Sequence, residues 1–86
     1  MKVVIVCRQQ SETAREVSEY LREFHRRTGQ QLPTIDPDTR EGADLCRLYD
    51  IVEYPTVVAT DDNGIMLNMW RGTPLPTMNE VSYYVQ

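Results

Sequence analysis

Ile51-Val52-Glu53-Tyr54-Pro55-Thr56-Val57-Val58-Ala59-Thr60 sets a proline directly before an apolar, β-branched run. Thr56 to Thr60 reads as an apolar strand. Upstream, Leu45, Leu48 and Tyr49 fall at helical spacing, which predicts a short helix over roughly Glu41 to Tyr49 with these three facing inward. Downstream, Asp61-Asp62-Asn63-Gly64 is a dense turn signal, and Ile65 to Trp70 reads as the returning strand of a hairpin.

The remaining elements follow outward from this centre. Lys2 to Cys7 is a continuous apolar, β-branched run, the pattern of a central strand. Arg8-Gln9-Gln10 breaks it, and Ser11 is the expected N-cap of a helix with Glu12 and Glu16 near its positive end. Ala14, Val17, Tyr20 or Leu21, and Phe24 give that helix one apolar stripe, and Thr28-Gly29 stops it. Gln31 to Asp36 is expected as a short strand. Pro33 lacks the amide hydrogen a ladder needs, so this strand belongs on a sheet edge. Thr77-x-x-Glu80 has the form of a capping box for a last helix with an apolar stripe of Met78, Val81, Tyr84 and Val85. The order is β-α-β-α-β-β-α, an α/β arrangement. Its first two strands should be parallel through a right-handed crossover, and its last two antiparallel.

Composition bounds what such a chain does. With 86 residues, the expectation is a single domain over 1–86, without room for a separate catalytic module. An apolar fraction of 41% and a charged fraction of 26% are those of an ordinary globular protein. Thirteen acidic against nine basic residues give a net charge of −4, which opposes phosphate binding and argues against a nucleic-acid partner. Arg22, His25, Arg26 and Arg27 cluster near a helix end around Glu19 and Glu23. There the cations suit the helix dipole and read as a solvated face. The apolar run Val3 to Val6 is too short for a signal peptide or a membrane span, so no membrane partner and a cytoplasmic location are expected. In that compartment Cys7 and Cys46 are thiols.

The order of elements and the stretch from Ile35-Asp36-Pro37-Asp38 through Leu45-Cys46-Arg47-Leu48-Tyr49-Asp50-Ile51-Val52-Glu53-Tyr54-Pro55-Thr56-Val57-Val58 resemble the thioredoxin-like fold family. The likeness lies in an acidic strand end, a short helix, Tyr-x-Ile, and Pro-Thr before an apolar strand. Asn63-Gly64 and Gly72 also stand where thioredoxins carry glycines. The resemblance implies a four-stranded mixed sheet with helices on both faces. It also implies that Pro55 is a cis proline and that Tyr54, Pro55 and Thr56 form one wall of a binding groove that pairs with an extended substrate. The opposite wall departs from the family. Where thioredoxins and glutaredoxins carry Cys-x-x-C, this chain aligns Ser11 and Ala14, within Ser11-Glu12-Thr13-Ala14. A hydroxyl and a methyl group form no disulfide, so two-cysteine oxidoreductase chemistry is not expected there.

Three routes to chemistry remain in the sequence. Cys7 ends the first strand near the family's active site, but it follows buried aliphatics that raise a thiol pKa and make it inert. Ser11 resembles the serine with which some glutathione transferases stabilise a bound thiolate. The peptide-holding residues of those domains are missing from Gly72-Thr73-Pro74-Leu75-Pro76-Thr77. A Cys7–Cys46 bond needs α-carbons within about 7 Å. Separate thiols are expected instead, with Cys46 half-buried on the flank of the Leu45/Tyr49 stripe. His25 has no Cys or His at metal spacing, and Asp36, Asp38, Asp61 and Asp62 fit turn positions, so neither a metal nor a cofactor is expected. Trp70 is either core or an exposed anchor. The Ile65–Trp70 strand, as a sheet edge, suggests homodimerisation by strand addition.

The functional expectation is a redox-inactive thioredoxin-like module. It would bind a protein or peptide with Ser11, Ala14, Tyr54, Pro55 and Thr56. The alternative is a single-cysteine thiol-disulfide oxidoreductase using Cys7.

Overall fold

The computed structural model describes residues 1–85. Seven elements follow in the order β1 (Lys2–Val6), α1 (Ala14–Thr28), β2 (Thr34–Ile35), α2 (Arg40–Tyr49), β3 (Thr56–Thr60), β4 (Met66–Arg71) and α3 (Met78–Tyr84). The strands form one mixed sheet in the order β2-β1-β3-β4. β1 and β2 are parallel, with Ile5 opposite Thr34 and Val6 opposite Ile35, as a helical crossover requires. β1 pairs antiparallel with β3 from Lys2–Thr60 to Val6–Thr56, and β4 closes the hairpin on the outer side of β3.

Because successive strand residues point to opposite faces, the sheet builds two cores. Val3, Ile5, Cys7, Val57 and Ala59 pack with Val17 and Phe24 of α1 and Val81 of α3. Val6 and Val58 point the other way and pack with Ile51, Leu45, Tyr49 and Met69 under α2. All five residues of β3 are buried, which agrees with its unbroken apolar reading.

Helix termini follow local chemistry. Gly29 takes the left-handed conformation at φ 74° and returns its N–H to the His25 carbonyl, ending α1. Thr77 and Glu80 form the reciprocal capping box at the start of α3. At the end of α1, Glu23 accepts from both Arg26 and Arg27. These bonds, led by Arg26, hold its carboxyl down at about 2. The basic cluster is thus largely a solvated, internally paired helix face.

Four sequence expectations change. Ser11 does not cap α1: the N-cap is Thr13, which makes no side-chain cap bond. The Ser11 hydroxyl instead donates to the Arg8 carbonyl at 3.2 Å and shares a hydrogen bond with Thr13 Oγ1 at 3.0 Å, a local turn competing with a cap. β2 shrinks to two residues. The Asp36 carboxylate accepts from the Asp38 and Gln9 amides and turns the chain out of the sheet. Pro33 still accepts from Ile5 N–H at 3.0 Å beside the strand. Leu48 is 71% exposed rather than inward. Gly42 is buried and seats α2 closely on the Asp36 backbone, so the inward face runs through Leu45, Cys46 and Tyr49 and leaves Leu48 off it. Ile65 lies outside β4 and is exposed.

Trp70 belongs to the packed interior side. Its ring meets Tyr84 edge-on at 5.6 Å, and its Nε1 donates to Glu80 at 3.3 Å.

Candidate functional site

At one end of the sheet the chain leaves β1 and enters β3 side by side. Val6 is opposite Thr56, so Cys7 and the Arg8 loop emerge next to Pro55 and Tyr54. The Tyr54–Pro55 peptide bond is cis. Pro55 and Thr56 are buried, and the Thr56 hydroxyl donates to the Glu53 carbonyl at 2.6 Å. Of the three loop residues only Tyr54 leaves its side chain partly exposed. Gly72 braces the loop from β4 by donating its N–H to the Pro55 carbonyl at 2.8 Å. At φ 70°, and with Glu53 Oε2 within 3.1 Å of where a Cβ would stand, that position is suited to glycine. Among the described residues, none pairs with the backbone N–H or C=O of Tyr54.

Arg8 links this loop to the rest of the site. Its guanidinium lies over the Tyr54 ring, 5.0 Å from the centroid, and its Nε approaches Asp38 Oδ2 at 3.4 Å. It also lines two clefts. One, of about 190 Å³, runs between the Arg8 loop and the start of α1, with Cys7, Ala14, Val17 and Thr34 in its walls. The other, of about 370 Å³, is polar and formed by Arg8, Gln9, Gln10, Asp36 and Asp38. Ala14 lines the first cleft, whereas Ser11, Tyr54, Pro55 and Thr56 line neither.

Arg8 was legible in the sequence only as a polar residue after a strand. Its position over an aromatic ring depends on the β1–β3 register, which no local pattern encodes. A second cis bond, Thr73–Pro74, lies in the loop before α3.

The two thiols differ from a reactive pair. Cys7 is 5% exposed, within the α1-side core. Burial, and then the Asp36 carboxylate, push its pKa up from an ordinary 9.0, so the nucleophilic thiolate is disfavoured at neutral pH. Cys46 is half-buried on α2, and its Sγ lies 3.9 Å from the Tyr54 hydroxyl. Both cysteines are free. Burial, ahead of the contact with Cys46, raises the pKa of Tyr54, which keeps its phenol neutral. Among the described residues no group of three His, Cys, Asp or Glu side chains could hold a metal ion.

Solved structures share this fold at low identity. Thioredoxin 1 from the thermophilic eubacterium Thermosipho africanus superposes with a TM-score of 0.65 at 13% identity, over 99% of this chain and 90% of that one. The fold is thioredoxin-like. A malarial protein matches with a TM-score of 0.63 and 13% identity, over 96% of this chain and 90% of its own. No protein-family model and no curated protein matches the sequence. Set on this thioredoxin-like frame, the chain carries no Cys-x-x-C anywhere, its cysteines standing alone at positions 7 and 46. Among the described residues no helix is long and apolar enough to cross a membrane.

Proposed function

We propose that this thioredoxin-like chain is a redox-inactive peptide-binding module whose groove lies along the cis-Pro55 loop. The observation that carries the reading is the open backbone of Tyr54. Its N–H and C=O lack partners among the described residues, in a loop braced from behind by Gly72. Backbone groups left without partners in a loop beside a sheet are what a linear peptide pairs with when it adds itself as a strand. The Tyr54 ring beside them offers a half-exposed aromatic surface, the kind of side chain that anchors binding. In this reading Ser11 and Ala14 supply contact rather than chemistry.

Nothing favours the single-cysteine reading. A catalytic thiol must be both exposed and ionised, and Cys7 is buried with a raised pKa.

Linear peptides selected from a random library against the folded protein test the proposal. Tyr54→Ala should weaken the selected peptides at least ~10-fold, the loss expected of an aromatic anchor, with thermal melting used to verify that the variant folds. Binding should be the same with and without a thiol reductant. Selected peptides that bind Tyr54→Ala as well as the parent, or that bind only under oxidising conditions as mixed disulfides, contradict it.

A further inference from the structure

Building on the groove reading, we infer that the corner formed by the Tyr54 ring and the Asp38 carboxylate is a guanidinium site. Its partner is an extended peptide carrying an arginine, and the chain's own Arg8 fills the site until that arginine exchanges with it.

The inference starts from what Arg8 does. A guanidinium over an aromatic face, with a carboxylate at its side, satisfies both its charge and its flat surface. Arg8 makes both contacts, at 5.0 Å to the Tyr54 centroid and 3.4 Å to Asp38. Neither contact is locked. The side chains of Arg8 and Asp38 are 52% and 67% exposed, so the pair is screened by water and contributes little to stability. An arginine from outside therefore meets a surface that already fits it, at the small cost of lifting Arg8 off.

Charge decides the sign of the partner. The adjoining polar cleft of about 370 Å³ holds two carboxylates, Asp36 and Asp38, against the single guanidinium of Arg8. The whole chain carries −4. Asp36 is committed to the loop through bonds from the Asp38 and Gln9 amides, so its charge is fixed in the cleft wall. An acidic side chain entering here would meet both carboxylates. A basic one is drawn in, and the two free amide side chains, Gln9 and Gln10, can hydrogen-bond to the incoming peptide.

Three soluble peptides test this. They share one flexible Ser/Thr sequence and differ only in a central Arg, Gln or Glu. Each is titrated into ¹⁵N-labelled protein while the amides of Tyr54 and Thr56 are followed. The Arg peptide should bind about five-fold tighter than the Gln peptide, in line with an exposed cation–π contact plus a surface ion pair. The Glu peptide should be weakest. Arg8→Gln should tighten the Arg peptide about three-fold by removing its internal competitor, and Asp38→Asn should roughly halve the preference for Arg over Gln. Preference for Glu, equal affinity for all three, or loss of Arg-peptide binding in Arg8→Gln overturns the guanidinium site while leaving the groove intact. Tyr54 and Thr56 amides unmoved by any of the three overturn the groove and this site together.

Discussion

Cys7 shows how one residue's surroundings decide its chemistry. Placed just past the end of β1, it is core, and its raised pKa has a thermodynamic consequence. Above about pH 9 the unfolded chain releases the thiol proton while the folded chain holds it, so stability falls as pH rises through that range. Melting temperatures measured between pH 8 and 10.5 should drop more steeply for the parent than for Cys7→Ala, whatever the baseline cost of the cavity. Labelling with a thiol reagent at neutral pH should modify Cys46 first and leave Cys7 at least ~100-fold slower than in denaturant, read by peptide mass spectrometry. Gly42 is the second decisive residue. A Cβ there would lie 1.9 Å from the Asp36 carbonyl oxygen, so α2 could not keep its seat. Gly42→Ala should lower unfolding free energy by about 2 kcal/mol or more in urea titration, the scale of an overpacked core. Burial of Cys7 was legible in the sequence, since it ends an aliphatic run. Arg8 was not, because its role arises only when β1 and β3 lie side by side.

At the scale of elements, each helix and strand declared itself by period and by its stop signals, and the ends moved where side chains competed for the backbone. Thr77-x-x-Glu80 was readable as a capping box and forms one. Ser11 carried the same kind of signal, yet its hydroxyl turned to Arg8 and left α1 to begin at Ala14. Leu48 fitted helical spacing, but the buried Gly42 sets the inward face of α2, and spacing alone cannot say which of two adjacent stripes faces the sheet. The union of α1 with α3 was invisible in sequence. Tyr20 of α1 donates to the Pro76 carbonyl at 2.9 Å, and burial pushes its phenol up to about 12. Removing the hydroxyl leaves the buried Pro76 carbonyl without that donor. Tyr20→Phe should therefore cost about 1–2 kcal/mol in urea unfolding, with α3 amides exchanging faster with solvent than those of β3.

The whole molecule is a sheet with one doubly helical face and one face under α2 alone. Its outer strand β4 bears on assembly. The register slips at Ala59/Thr60, leaving Leu67 unpaired opposite β3, and Asn68 Oδ1 accepts from the Met69 N–H at 2.8 Å. A bulge and a self-capped amide both hinder strand addition. Sedimentation equilibrium should therefore find a monomer despite the exposed Ile65, Met66 and Leu67; a dimer lost on substituting these residues with Lys would contradict this. The α2 face carries its own cleft of about 330 Å³, walled by Val4, Ile35, Leu45 and Tyr49 with Lys2 and Glu41 at its rim. It is the natural rival to the Pro55 loop as a place for a ligand, so the two must be told apart directly. The measurement that does so is a ¹⁵N amide shift map recorded with a selected linear peptide. The largest changes should fall at Arg8, Ser11, Tyr54, Thr56 and Gly72. Changes confined to Val4, Ile35, Leu45 and Tyr49, or to the outer edge of β4, would contradict the account.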